Sequence, residues 1–230
     1  MEYNSYALEY LLLIIGFLIT LIAQIKVTSS YSKYKQIENK KRISGFEVAR
    51  KILDSFGLED IHVVEVNGNL TDHYDPSNKV VRLSTDVFHG ESIASLAVAA
   101  HECGHALQDK DNYNYMIIRS KLVPVVNFVT KMGYFVTIIG IIAGLFDIIV
   151  CGIVVLGVTL LFQLVTLPVE FNASKRAKGI IDNLNLADKE EQNGVSKMLS
   201  AAAFTYVASV LNTIFQILRL LIISNNNNRD

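Results

Sequence analysis

Residues 132–167 form an apolar block in which Asp147 is the only charged side chain. The block is too long for one membrane crossing and long enough for two short ones, because a helix needs about 20 apolar residues to cross hydrocarbon. Broken near Phe146–Asp147, it predicts a tight transmembrane hairpin. Residues 7–25 form a second apolar stretch, interrupted only by Glu9 and Gln24. Residues 201–223 form another, with Arg219 near its end, where a long side chain can snorkel to the interface. The chain is 51% hydrophobic with 19% charged residues, so apolar and polar stretches must be segregated along it. The expected class is α+β: a multi-pass α-helical membrane protein of about four transmembrane helices carrying a small polar domain.

Orientation follows from the basic residues. Lys26, Lys33, Lys35, Lys40, Lys41 and Arg42 follow the first stretch, and the residues before it hold no lysine or arginine. The positive-inside rule puts the N-terminus outside and the polar region in the cytoplasm. Arg119, Lys121 and Lys131 before the hairpin agree, as do Lys175, Arg176 and Lys178 after it. With no basic n-region, the first stretch reads as a retained anchor and not a cleaved signal. A net charge of -1 gives no reason to expect a nucleic-acid partner. The two cysteines, Cys103 and Cys151, do not suggest a disulfide framework.

These signals divide the chain into an anchor (1–25), a cytoplasmic domain (26–131), a hairpin (132–167), a cytoplasmic helical segment (168–200), a last span (201–224) and a tail (225–230). Inside the first polar region, Ser44-Gly45-Phe46-Glu47 has capping-box form with Ile43 and Val48 placed as a staple, so a helix is expected over 45–56, ending at Gly57. Residues 61–66 and 79–83 read as strands, with 70–74 as a partner before the turn at Asp75-Pro76-Ser77-Asn78. A further helix is expected over 91–108.

That last helix carries His101-Glu102-Cys103-Gly104-His105. Positions i and i+4 share a helix face, so both imidazoles can close on one Zn²⁺ at about 2.0–2.1 Å. Glu102 lies beside the metal, where it can take a proton from activated water and return it to the leaving amine. Cys103 points to the far side and reads as a small buried hydrophobe. An edge strand next to such a helix suits pairing with an extended peptide, as in zincin-type enzymes.

Two histidines leave the site one protein ligand short if water is to keep the fourth position. The other histidines are His62, His73 and His89, and the acids beyond the hairpin are Glu170, Asp182, Asp188, Glu190 and Glu191. Glu170 stands out because it follows Pro168, which suits the first turn of a helix leaving the membrane. Two crossings separate it from His105, so both return to one face. An acid near a helix N-terminus, stabilised by the macrodipole, is the competing explanation. For a developing oxyanion, His73, Arg176 and Tyr206 are candidate donors.

The chain resembles the bacterial membrane-bound neutral zinc metallopeptidases of the YugP type over nearly its whole length. The resemblance rests on Leu70-Thr71-Asp72-His73-Tyr74-Asp75-Pro76, on Ala99-Ala100-His101-Glu102-Cys103-Gly104-His105-Ala106, and on residues 167–177 around Glu170. More distantly it is similar to the HtpX-type and CAAX prenyl membrane proteases, which pair HExxH with glutamate in a Glu-x-x-Ala-Asp pattern. Glu170 and Ala173 match that pattern, whereas Ser174 stands where the aspartate would orient a ligand histidine. The resemblance implies a one-zinc endopeptidase acting on membrane-associated protein or peptide, and the likeness to the HtpX-type enzymes implies membrane-protein quality control. With the basic residues above, the site is expected at the cytoplasmic membrane surface. The competing class is a catalytically silent membrane scaffold or metal-dependent assembly protein.

Overall fold

The computed structural model describes residues 2–143 and 148–227. In chain order the elements are α1 (Glu2–Lys35), α2 (Gly45–Ser55), β1 (His62–Val66), β2 (His73–Asp75), β3 (Val80–Ser84), α3 (Thr85–Phe88), α4 (Ile93–Lys110), α5 (Asn114–Ala143), α6 (Ile148–Asn183) and α7 (Lys189–Asn227). The protein is therefore mostly helical with one small sheet. Two compact units are present: Met1–Gln24, Ile117–Leu167 and Thr205–Asp230 form one, and Ile25–Met116 with Pro168–Phe204 form the other.

In the first unit, apolar side chains such as Leu11, Ile14, Phe17, Phe128, Val154 and Leu161 face outward. A water-soluble surface does not carry apolar side chains in such numbers, and hydrocarbon accommodates them. Three helices among the described residues are long and apolar enough to cross a membrane: Tyr6–Lys35, Ile149–Asn183 and Lys189–Asn225. The other arm of the expected hairpin lies in α5, and the break near Phe146–Asp147 falls outside the described residues. Both arms belong to helices longer than a tight hairpin needs. Once a helix is nucleated, each added residue gains a hydrogen bond for one fixed backbone unit, so polar flanks extend the helices. The same reasoning carries α7 to Asn227, into the segment expected to be a tail. Close approaches hold the helices of this unit: a Cβ on Gly16 would lie 2.5 Å from Asn212 Oδ1, and one on Gly133 2.4 Å from Val155 Cγ2.

Pro168 differs from expectation. It opens no new helix but lies inside α6, with Glu170 two residues further along the same helix. A proline removes one hydrogen bond and costs about 3 kcal/mol in a helix interior, which a helix of 36 residues can absorb. Glu170 is thus not an N-terminal acid, and the macrodipole explanation for it falls.

The second unit contains the sheet. β1 and β3 pair in parallel with His62 opposite Val80, and β2 joins the far side of β3 antiparallel with Tyr74 opposite Val81, giving the order β1-β3-β2. The α2 cap forms as its residues dictate: Glu47 N–H donates to Ser44 Oγ at 3.2 Å, and Ser44 N–H donates to Glu47 Oε2 at 2.7 Å. Past its end Gly57 takes φ +66°, the left-handed conformation that glycine adopts without a Cβ clash. Val48, Ile52 and Leu53 of α2, Val81 and Leu83 of β3, Leu96 and Ala100 of α4, Val169 and Ala177 of α6, and Val195 of α7 share one buried cluster. That cluster binds the HECGH helix to α6. The single turn of α3 has no counterpart in the sequence reading; its four residues are too few to carry a helical period.

Candidate metal centre

Helix α4 begins where Ser92 Oγ accepts the Ser95 N–H at 3.1 Å. Its next two turns are alanine-rich, which favours helix and keeps the surface small. His101 and His105 therefore stand one turn apart, with ring centroids 4.8 Å apart and planes at 84°. Glu170 comes from α6. Its Oε2 lies 3.3 Å from His101 Nε2 and 3.6 Å from His105 Nε2. One ligand atom from each of the three residues lies within 4.8 Å of the others, and the Glu170 side chain is only 3% exposed.

The approach of the two helices depends on small residues. A Cβ at Gly104 would lie 2.7 Å from the Ala173 carbonyl oxygen, so backbone meets backbone there. Ala173 and Ser174 sit three and four residues beyond Glu170, on the same face of α6.

The donor set fits a zinc ion. Ligand atoms about 2.0–2.2 Å from a tetrahedral centre stand roughly 3.3–3.6 Å apart, matching both imidazole-to-carboxylate separations. Each histidine also engages its other ring nitrogen. His105 Nδ1 lies 2.9 Å from Gln108 Oε1, and His101 Nδ1 lies 3.3 Å from Ser174 Oγ. Both rings thus present Nε2 to the cluster, the arrangement outer partners impose on metal-ligating histidines.

Glu102 is buried on the same helix and points to the sheet. Its Oε2 accepts the Tyr74 N–H at 3.0 Å. Burial pushes its carboxyl up to about 7, against the pull of His101 in the opposite direction. Tyr74 lies in β2, whose other edge pairs with β3, so Glu102 faces the unpaired edge of a three-stranded sheet. The tyrosine ring is held too: Tyr74 Oη donates to Asp109 Oδ2 at 2.6 Å, and Lys79 Nζ lies 2.5 Å from the same oxygen. Just before β2, Asp72 accepts from the Ser84 N–H at 2.7 Å and from its hydroxyl, fastening this edge strand to the end of β3.

Of the other residues singled out in the sequence, Ser174 joins His101 as described. His73 is exposed, with Nδ1 2.8 Å from the Thr71 carbonyl oxygen, and is not in the cluster. Arg176 donates from Nε to Asn172 Oδ1 at 2.8 Å and from Nη1 to Asp111 Oδ2 at 2.5 Å. Tyr206 belongs to the helical unit and is no member of the cluster. The acids that competed with Glu170 serve elsewhere: Asp182 accepts from Gln192, Asp188 pairs with Lys40, and Glu191 accepts the Lys40 N–H. His89 pairs with Glu65. Cys103 is fully buried with Sγ 3.7 Å from the Ala49 carbonyl oxygen, and burial raises its thiol far above the usual range. Sequence reasoning missed Gln108, Asn172 and the Tyr74 N–H. Gln108 was within reach, since it lies three residues after His105 and seven after His101, on one helix face.

Residues 9–225 match the model of a family described as "Putative neutral zinc metallopeptidase". The chain is also 47% identical over 201 residues, covering 87% of itself and 89% of the relative, to the "Putative membrane protease YugP" of Bacillus subtilis (strain 168). No solved structure matches. A family model covering nearly the whole chain, and a relative so similar along its length, make this protein a member of that neutral zinc metallopeptidase family.

Proposed function

We propose that the protein is a membrane-embedded zinc endopeptidase in which His101, His105 and Glu170 hold one metal ion and Glu102 is the general base. The observation that carries this reading is the convergence of two Nε2 atoms and one buried carboxylate oxygen at separations suited to zinc. When bound, zinc supplies Lewis acidity toward a water molecule and the scissile carbonyl. The protein's own residues supply the proton handling and the alignment. Glu102, deprotonated, takes a proton at its carboxylate and returns it to the amine that leaves. Its contact with the Tyr74 N–H aims the carboxylate along the unpaired edge of β2, where an extended peptide can add as a further strand.

The apolar stretches and the charges that flank them support a membrane setting. Helix α6 carries both an apolar stretch able to cross a bilayer and, beyond Leu167, Glu170. With α5 counted as the partner of α6, this reading has four crossings, the N-terminus outside and the site at the cytoplasmic membrane surface; the basic residues that flank the stretches support it. On this reading the cytoplasmic parts are residues 26–131 and 168–200, and the substrates are membrane-associated proteins, cleared as part of quality control. The relative named as a membrane protease supports the setting. A silent scaffold has no need of a carboxylate beside the histidine pair, and Glu102 weighs against it.

The test is to purify the chain in detergent, measure bound zinc, and compare casein cleavage by wild type and Glu102→Gln. Zinc bound by both with cleavage only by wild type is the expected result. Equal cleavage by the two sinks the mechanism.

A further inference from the structure

A chain of hydrogen bonds in the second unit runs from a surface ion pair to one ring of the metal cluster, and its chemistry leaves no freedom of direction. Arg176 can only donate. Its Nε–H, 2.8 Å from Asn172, therefore fixes that oxygen as Oδ1, an acceptor. Gln108 lies 3.0 Å from Asn172 Oδ1 and 2.7 Å from the Val169 carbonyl oxygen, so both contacts require its amide nitrogen. Its Oε1 is then left for His105 Nδ1, at 2.9 Å, and that nitrogen must carry the proton. Nε2 keeps its lone pair and turns it to Glu170. Gln108 has no exposed surface, so no water stands in for a lost partner. Ser174, the partner of His101 Nδ1 at 3.3 Å, imposes no such choice, because a hydroxyl donates or accepts equally well.

We propose that Gln108 is the positioning residue of the metal centre: oriented by Asn172, Arg176 and Val169, it sets the tautomer of His105 and locks the HECGH helix to the helix bearing Glu170. This rests on the zinc-site reading above. It also gives Arg176 a definite place: its Nε and Nη1 donors orient Asn172 and hold Asp111, so the residue acts on the metal centre through Gln108.

The experiment uses the full chain in detergent, with histidine ring nitrogens labelled for NMR; five histidines keep the spectrum small. In the zinc-loaded wild type, the His105 ring proton is expected on Nδ1 and slow to exchange. In Gln108→Met the protection is lost and zinc affinity, measured by chelator competition, falls about 10–100-fold. A His105 proton on Nε2, or a Gln108→Met protein that binds zinc within threefold of wild type, overturns the proposal. If Gln108→Met does not fold, the wild-type ring spectrum decides alone. A wild type that binds no zinc strikes instead at the proposed function, and the zinc-free spectrum, with the proton on Nδ1 or not, still tests Gln108.

Discussion

Gly104 packs against the backbone of Ala173, and a Cβ on it would lie 2.7 Å from the Ala173 carbonyl oxygen. This contact sets the distance between the helix that offers two imidazoles and the helix that offers the carboxylate. Gly104→Ala must push the helices apart, because carbonyl backbone cannot yield as a side-chain end does. A loss of about 1–3 kcal/mol in unfolding free energy is expected from overpacking of this kind, with zinc affinity reduced in the same protein. Denaturant titration and chelator competition check both; unchanged zinc affinity would show that the helix spacing does not govern the site.

Glu170 carries the only carboxylate in the cluster. On the zinc-site reading, Glu170→Ala leaves two imidazoles for the ion, so bound zinc should fall below one-tenth of the wild-type content after dialysis. Metal analysis of the purified variant decides the matter, and full retention removes Glu170 from the ligand set.

Glu47 gives a pH prediction. The Ser44 backbone N–H, and after it the Ser44 hydroxyl, hold its carboxyl below the ordinary value of 4.5. A lowered folded-state pKa means that the unfolded chain binds the proton more readily. The cap's contribution is therefore complete above the unfolded value and lost as pH falls through the folded one. Glu47→Gln keeps the hydrogen-bond acceptor and removes only the charge, so it should cost about 0.3–0.5 kcal/mol at pH 7, the low end for a carboxylate at an exposed, solvent-screened helix N-terminus, and nothing near pH 2. Stability curves at the two pH values test this; an equal deficit at both would mean that the charge plays no part.

The proposed topology puts the turn near Asp147 outside the cell. A single cysteine introduced at Asp147, in a chain with Cys103 and Cys151 replaced by serine, should react with a membrane-impermeant maleimide on intact cells. Labelling only after lysis reverses the orientation.

How much of this was readable from the residues varies by element. The α2 helix was, because Ser44, Glu47 and Gly57 act within one turn of the ends they define. The strands were, to within three residues, because alternation and the Asp75–Asn78 turn are local signals. The HECGH face was, because helical geometry alone puts i and i+4 together. Pro168 misled, since local propensity treats it as a boundary, whereas the long α6 helix absorbs it.

By itself, then, the sequence determined the apolar stretches, the pairing of His101 and His105 on one helix face, and the place of Glu102, the proposed base, beside them, all set by spacing within one segment. It singled out Glu170 among the acids beyond the hairpin, from its place after Pro168 and the two crossings that return it to the face of His105, but held no measure of its distance from the imidazoles. Only the tertiary structure brought Glu170 to the imidazoles and sent Asp182, Asp188 and Glu191 to other partners. It also directed Glu102 to the Tyr74 N–H and joined Gln108 to Asn172, 64 residues away in the chain. The physical reason is that these contacts depend on how closely two helices approach. That distance is decided where Gly104 meets Ala173, a pairing that no periodicity along the chain encodes.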